Sequence, residues 1–74
     1  MTLDEAKEKI QAGKKYKHFK GGIYTVDFIA YDTETQRQVV AYHDEFGIYF
    51  TRPADMWLEP VTISVPRFKS LEEE

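Results

Sequence analysis

Cysteine is absent from this 74-residue sequence, so neither a disulfide framework nor a cysteine-based zinc site holds the fold together, and thiol chemistry is excluded. The same absence fits a reducing compartment, which makes a cytoplasmic location the expectation. Long apolar runs are missing as well: nothing approaches the roughly 20 residues of a membrane helix. The first fifteen residues alternate charge with small and apolar side chains, unlike a signal peptide, and no membrane partner is expected. Histidine is sparse. His18 and His43 stand 25 positions apart, without His-x-His or His-Glu-x-x-His spacing, so no metal site is expected. The two serines, Ser64 and Ser70, lie at no nucleophile elbow. Asp44 follows His43, but successive strand side chains point to opposite faces, which separates a base from its orienting acid. Lys20-Gly21-Gly22 lacks the spacing of a phosphate loop and precedes a strand, so it reads as a tight turn. Neither enzymatic activity nor a cofactor is expected.

Aromatic residues are plentiful. Five Phe, five Tyr and one Trp make up 15% of a chain of 8.7 kDa, which has room for one small domain. A domain of this size buries only about 60% of the surface its unfolded chain exposes, so large rings must furnish its core. Phe28, Phe50 and Trp57 are the expected core rings, with Phe19 beside them. Tyr16, Tyr42 and Tyr49 have a polar end to expose. Charge is unevenly spread: residues 14–20 carry Lys14, Lys15, Lys17 and Lys20, within a chain whose net charge is -3.

Hydrophobic periodicity gives the layout. Thr2 with Glu5 three positions later forms a capping box, and Leu3, Ala6 and Ile10 make a narrow apolar stripe. The spacing predicts a short helix that stops at Gly13 and docks on the rest of the domain. Thereafter the period becomes two. Tyr24, Val26, Phe28 and Ala30 form one apolar face, and Ile29 and Tyr31 interrupt the other, as expected of a strand that curls and changes its inward side. Residues 32–37 read as a turn, and residues 38–43 as a strand with Val39, Ala41 and His43 opposite Val40 and Tyr42. Asp44-Glu45-Phe46-Gly47 closes a hairpin into Ile48-Tyr49-Phe50-Thr51-Arg52, which Pro53 ends. A helical turn with Pro53 first, and with Met56 and Trp57 folded inward, comes next. Val61 to Val65 alternates again, Arg67-Phe68 adds a last short pairing, and residues 70–74 read as a solvated acidic tail.

Two clusters carry functional readings. Residues 14–20 interleave lysines with Tyr16, His18 and Phe19, the combination needed for phosphate attraction with base stacking. A solvated edge that discourages aggregation explains the same lysines and is preferred. Arg52 and Trp57 flank Pro53 and line a shallow groove with Tyr42 and Tyr49, where arginine can fork onto a carboxylate or phosphate and the rings offer a platform for a peptide. The plainer alternative pairs Arg52 with Glu59 or Asp55 and makes Trp57 a core plug. Core is preferred for Trp57, while both readings stay open for Arg52.

Tyr16-Lys17-His18-Phe19-Lys20-Gly21 with Tyr24 and Val26, then Ala30, Glu34-Thr35, Val39-Val40 and Tyr42, and finally Arg52-Pro53, Met56-Trp57 and Glu59, resembles domain of unknown function family 1653 over about residues 16–68. The resemblance implies a bacterial protein with a small SH3-like β-barrel, and it implies no established activity, so no site residue carries over. Tyr49 or Phe50 stands where members often place a Trp after a glycine-rich turn, which removes any contact that needs that indole. The capped N-terminal segment lies outside the resemblance.

The expectation is thus a mainly β, antiparallel SH3-like barrel of four to five strands. A helix over residues 1–13 precedes a barrel domain over 14–69, and residues 70–74 form a flexible tail. The expected function is a non-enzymatic binding or protein-interaction module for a protein, a peptide or a small anionic ligand. Its candidate site residues are Tyr16, His18, Lys20, Tyr42, Arg52 and Trp57. The alternative is weak single-stranded nucleic-acid or nucleotide binding through residues 14–20.

Overall fold

Thr2 caps the first helix as its spacing from Glu5 requires. Its hydroxyl oxygen accepts from the Glu5 N–H (3.2 Å), and the Glu5 carboxylate accepts from the Thr2 N–H (3.3 Å). That second bond is the main reason the Glu5 carboxyl lies below the usual range. The helix, α1 (Leu3–Lys9), is too short to persist alone. It docks instead: Ala6 and Ile10 are fully buried, while Leu3 stays exposed. Gly13, at φ 82°, turns the chain, and its N–H reaches the Val26 carbonyl at 2.7 Å. The structure, a computed structural model, describes residues 2–63 and 65–71.

Five strands follow: β1 (Lys15–His18), β2 (Ile23–Asp32), β3 (Arg37–Asp44), β4 (Tyr49–Pro53) and β5 (Phe68–Ser70), with α2 (Ala54–Leu58) between the last two. All pairings are antiparallel and the spatial order is β4-β3-β2-β1-β5. The expected mainly β antiparallel architecture with two short helices is what the chain forms. One feature differs from the expectation of a barrel: among the described residues β4 and β5 do not pair, so the sheet is open at that seam.

Aspartates build two of the turns. Asp32 accepts from the Glu34 N–H (3.0 Å) and the Thr35 hydroxyl (3.1 Å), while Asp44 accepts from the N–H groups of Phe46 (2.9 Å) and Ile48 (3.0 Å). A carboxylate that substitutes for strand partners in this way fixes the loop without a core of its own. Gly47 takes the left-handed conformation (φ 82°) expected of the β3–β4 hairpin.

The bend of β2 comes from a β-bulge. Val26 lies opposite Tyr42, but Phe28 lies opposite Ala41, so Asp27 is the extra residue. One extra residue inverts the inside-outside phase of everything after it. Tyr24 and Val26 face the core before the bulge, and Ile29, opposite the fully buried Val40, faces it afterwards. Phe28 is therefore turned outward and is 56% exposed, which corrects its expected place in the core.

Further expectations are corrected. Phe50 sits opposite Tyr42 on the edge strand β4, and with no strand beyond it the ring is 38% exposed. Phe19 follows β1 at the turn and is exposed, as is Met56 on the outer side of α2. Pro53 is the cap residue before α2, and it still lies in register with Val39, as an edge strand without need of its N–H permits. In place of a strand over residues 61–65 there is one isolated bridge between Thr62 and Val65, and Ser64 lies outside the described residues. Of the expected tail, Ser70 belongs to β5, and residues 72–74 lie outside the described residues.

The core centres on Trp57, 2% exposed, stacked on Phe68 with ring centroids 3.7 Å apart and planes parallel. Tyr16 and Tyr42 meet Trp57 edge-on at 5.5 and 4.9 Å. Edge contacts of this kind add about 0.5–1.5 kcal/mol to the burial of each ring.

The bulge makes a clear test in adjacent residues. Ile29→Ala should destabilise the domain by about 2 kcal/mol, as a large-to-small change beside the core does. Phe28→Thr, on the outer face, should change stability by less than about 0.5 kcal/mol. Urea denaturation of the two variants measures both; equal losses would place Phe28 inside and refute the register.

Candidate functional site

Of the six residues singled out by the sequence, His18, Tyr42, Arg52 and Trp57 meet the Phe68 ring, Tyr16 meets Trp57 and Lys20 lies over Phe19, and the six divide by depth. Tyr16, Tyr42 and Trp57 belong to the buried core, so the expectation that Tyr16 and Tyr42 present a polar end to solvent is corrected. The Tyr16 hydroxyl oxygen instead accepts from the Gln11 N–H at 3.2 Å, tying β1 to the chain after α1. His18 and Arg52 are half-buried at the rim, and Lys20 is exposed.

Register explains the rim. Arg52 lies opposite Val40 on the inward face of β4, at the open seam, where an apolar residue would be enclosed if another strand followed. Its Nε donates to the Tyr42 hydroxyl oxygen at 3.5 Å, and its guanidinium lies 5.4 Å from the centre of the Phe68 ring. The expected partners do not hold it. Asp55 pairs with Arg37 at 3.2 Å, and among the described residues no carboxylate forms an ion pair with Arg52.

His18 lies opposite Phe68 across the β1–β5 ladder. Its ring contacts Phe19 (4.6 Å) and Phe68 (4.9 Å), and its Nδ1 accepts from the Lys20 N–H at 3.2 Å. Burial holds this imidazole below its ordinary pKa, and the positive charges of Arg52, Arg67 and Lys20 add to the effect. The Lys20 ammonium and the Arg67 guanidinium also lie 5.6 and 5.7 Å from the Phe19 ring. Arg67 was not among the sequence candidates. Its proximity comes from the β1–β5 pairing, and adjacency to Phe68 was the only sequence signal for it.

The opposite sheet face carries a pair that sequence reasoning missed. Asp27, turned outward at the bulge, reaches His43 Nδ1 with both carboxylate oxygens, at 2.8 and 3.0 Å. Asp44, the sequence neighbour, turns away to build its hairpin. A hollow of about 660 Å³ adjoins His43, lined also by Lys15, Thr25, Asp44, Glu45 and Tyr49. Charge of both signs lines this larger hollow and the histidine has its partner. At the rim around Phe68, no carboxylate among the described residues pairs with the positive charge, and that makes the rim the stronger candidate for a ligand. No three His, Asp or Glu side chains are grouped for a metal ion among the described residues.

Two measurements follow from these environments. An imidazole whose pKa is depressed by folding is neutral in both states above about pH 6.5. As pH falls below that, the unfolded chain binds the proton first, so the folded state loses stability until the folded-state pKa is passed. NMR titration of the His18 ring should give a midpoint below 6.5. Arg52→Gln should raise it while leaving it below 6.5, since burial is the larger cause; an unchanged midpoint would remove Arg52 from the cluster. On the other face, Asp27→Ala should cost about 1 kcal/mol in urea denaturation, as the loss of a half-buried hydrogen bond does.

Comparison with curated proteins and with solved structures finds no match. A family model does match, over residues 14–70, from Lys14 beside β1 to the end of β5, and so includes every strand of the sheet, α2 and the whole charged rim. The chain belongs to the family described as protein of unknown function (DUF1653).

Proposed function

We propose that the chain is a non-enzymatic binding module of the cytoplasm, that it engages a protein or peptide partner at the seam between β4 and β5, and that Arg52 receives an anionic group of that partner. The observation that carries this reading is the setting of Arg52. Its Nε is turned to Tyr42 and its plane is supported by Phe68, while no carboxylate among the described residues answers its charge. An arginine donates through five N–H groups. With one directed at Tyr42, its terminal nitrogens remain for a carboxylate or phosphate. Phe19 and Phe50 expose ring surface near the same rim, apolar area against which an extended segment can lie. The cytoplasmic setting rests on the absence of cysteine.

Nucleic acid at residues 14–20 has less support. Tyr16 is buried, and Lys15 and Lys17 point away from the side of β1 that carries Tyr16 and His18. This leaves Lys15 and Lys17 without an interleaved stacking ring, and Phe19 beside Lys20 as the one exposed ring of the segment among the described residues.

Titration of isotope-labelled protein with a glutamate-containing peptide should shift the resonances of His18, Arg52 and Phe68 together. Arg52→Gln should weaken the interaction about tenfold, the cost of one charge-assisted hydrogen bond. Absent shifts, or shifts scattered over both faces of the sheet, would refute a shared site.

A further inference from the structure

We propose that the anionic group received at this rim is a phosphoryl dianion and that its binding draws a proton onto His18, an inference that rests on the binding role proposed above. The argument begins from charge. Arg52 from β4 lies over the Phe68 ring, Arg67 from the segment before β5 and Lys20 from the β1–β2 turn lie over the Phe19 ring, and His18 packs against both rings. None of the three forms an ion pair with a carboxylate among the described residues, although the chain as a whole is acidic. Like charges gathered at one half-buried ring repel each other, and a bound anion relieves the repulsion. A carboxylate brings one negative charge and two oxygens. A phosphoryl group brings roughly 1.5 to 2 charges and three acceptor oxygens, enough to meet several cations at once.

His18 then acquires a role that a lysine there would lack. Because Nδ1 accepts from the Lys20 N–H, the hydrogen-bond network assigns the proton of the neutral ring to Nε2. Among the described residues the rings packed on this imidazole are Phe19, Phe68 and Tyr24, Val65 and Pro66 adjoin it, and none of these is a carboxylate. Lys17 and Lys69, paired with each other across β1 and β5, take the opposite side of their strands. Burial and the three cations thus disfavour an imidazolium at His18 until an anion arrives. Neutralising the three cations removes three of the influences that hold its proton affinity down, leaving burial, and the dianion adds one that raises it. The proton comes from solvent and settles on Nδ1, so the bond from the Lys20 N–H must open. Linkage makes the effect reciprocal: if the dianion tightens proton binding, protons tighten dianion binding by the same factor.

The test follows the His18 ring and the Lys20 amide by NMR between pH 5 and 8. Spectra are recorded for the free protein and with four probes: a phosphoserine peptide, adenosine monophosphate, inorganic sulfate and an unphosphorylated glutamate peptide. Sulfate is included because it remains a dianion throughout, whereas a phosphoryl group titrates near pH 6. The phosphorylated probes should bind at least tenfold more tightly than the glutamate peptide, and the His18 midpoint should rise by about one pH unit on binding, with a shift of the Lys20 amide. Sulfate should bind more tightly at pH 5.5 than at 7.5. His18→Gln should abolish that pH dependence while retaining binding, and Arg52→Gln with Arg67→Gln should abolish binding in a chain whose dispersed spectrum shows it folded. Preference for the phosphopeptide assigns the group to a protein partner, and preference for the nucleotide assigns it to a small molecule. Binding of the glutamate peptide as tightly as the phosphorylated probes overturns the inference and leaves the binding role standing. A bound dianion with an unmoved His18 midpoint overturns the proton coupling, and failure of every probe overturns the binding role as well.

Discussion

The stacking of Trp57 on Phe68, 3.7 Å between ring centres, is the contact on which the domain depends. Backbone hydrogen bonds run without interruption from β4 through β3, β2 and β1 to β5, and then stop. Across the remaining gap side chains do what a ladder does elsewhere. Trp57 is carried by the helix that continues β4, Phe68 opens β5, and their contact brings the two free edges of the sheet toward each other. Without disulfides, and with about ten well-buried side chains among the described residues, the gap is held by this stack and by Arg52 over Phe68. Tyr16 and Tyr42 complete the arrangement by meeting the indole from two central strands.

That seam also accounts for the charge at the rim. A strand edge that is not hydrogen-bonded to its neighbour leaves inward-pointing positions partly wet. Arg52 occupies such a position on β4, with its guanidinium over Phe68, while His18 ends β1 opposite Phe68 and meets that ring edge-on. A fully closed ladder would bury the guanidinium, and burial of a charge without a partner is costly. Openness of the sheet and polarity of its rim are one design.

Much of this was legible in the chain. Thr2 with Glu5, the alternation of Val40 and Tyr42 against Val39 and Ala41, the hairpin at Gly47 and the inward Trp57 each follow from local chemistry that tertiary contacts did not override. What escaped was anything decided by a register shift or by distant pairing. Asp27 looks like an ordinary outward residue in an alternating run, and nothing local marks it as the extra residue that turns Phe28 out. Its bond to His43 spans sixteen positions and depends on the bulge that creates it. The expectation that β2 changes its inward side was correct, but its location was not readable. At the rim, Arg52 and His18 stood out as polar groups beside rings. Arg67 did not, because its neighbourhood is made by pairing between the first and last strands.

The indole of Trp57 is the sole tryptophan of the chain, which gives the seam an optical identity. Excited-state energy from Tyr16 and Tyr42, whose rings lie against it, passes to that one indole whenever the two edges are together. Emission from the domain is therefore a direct record of whether the sheet is gathered around its core, and a ligand that pries β4 from β5 announces itself as the return of tyrosine light.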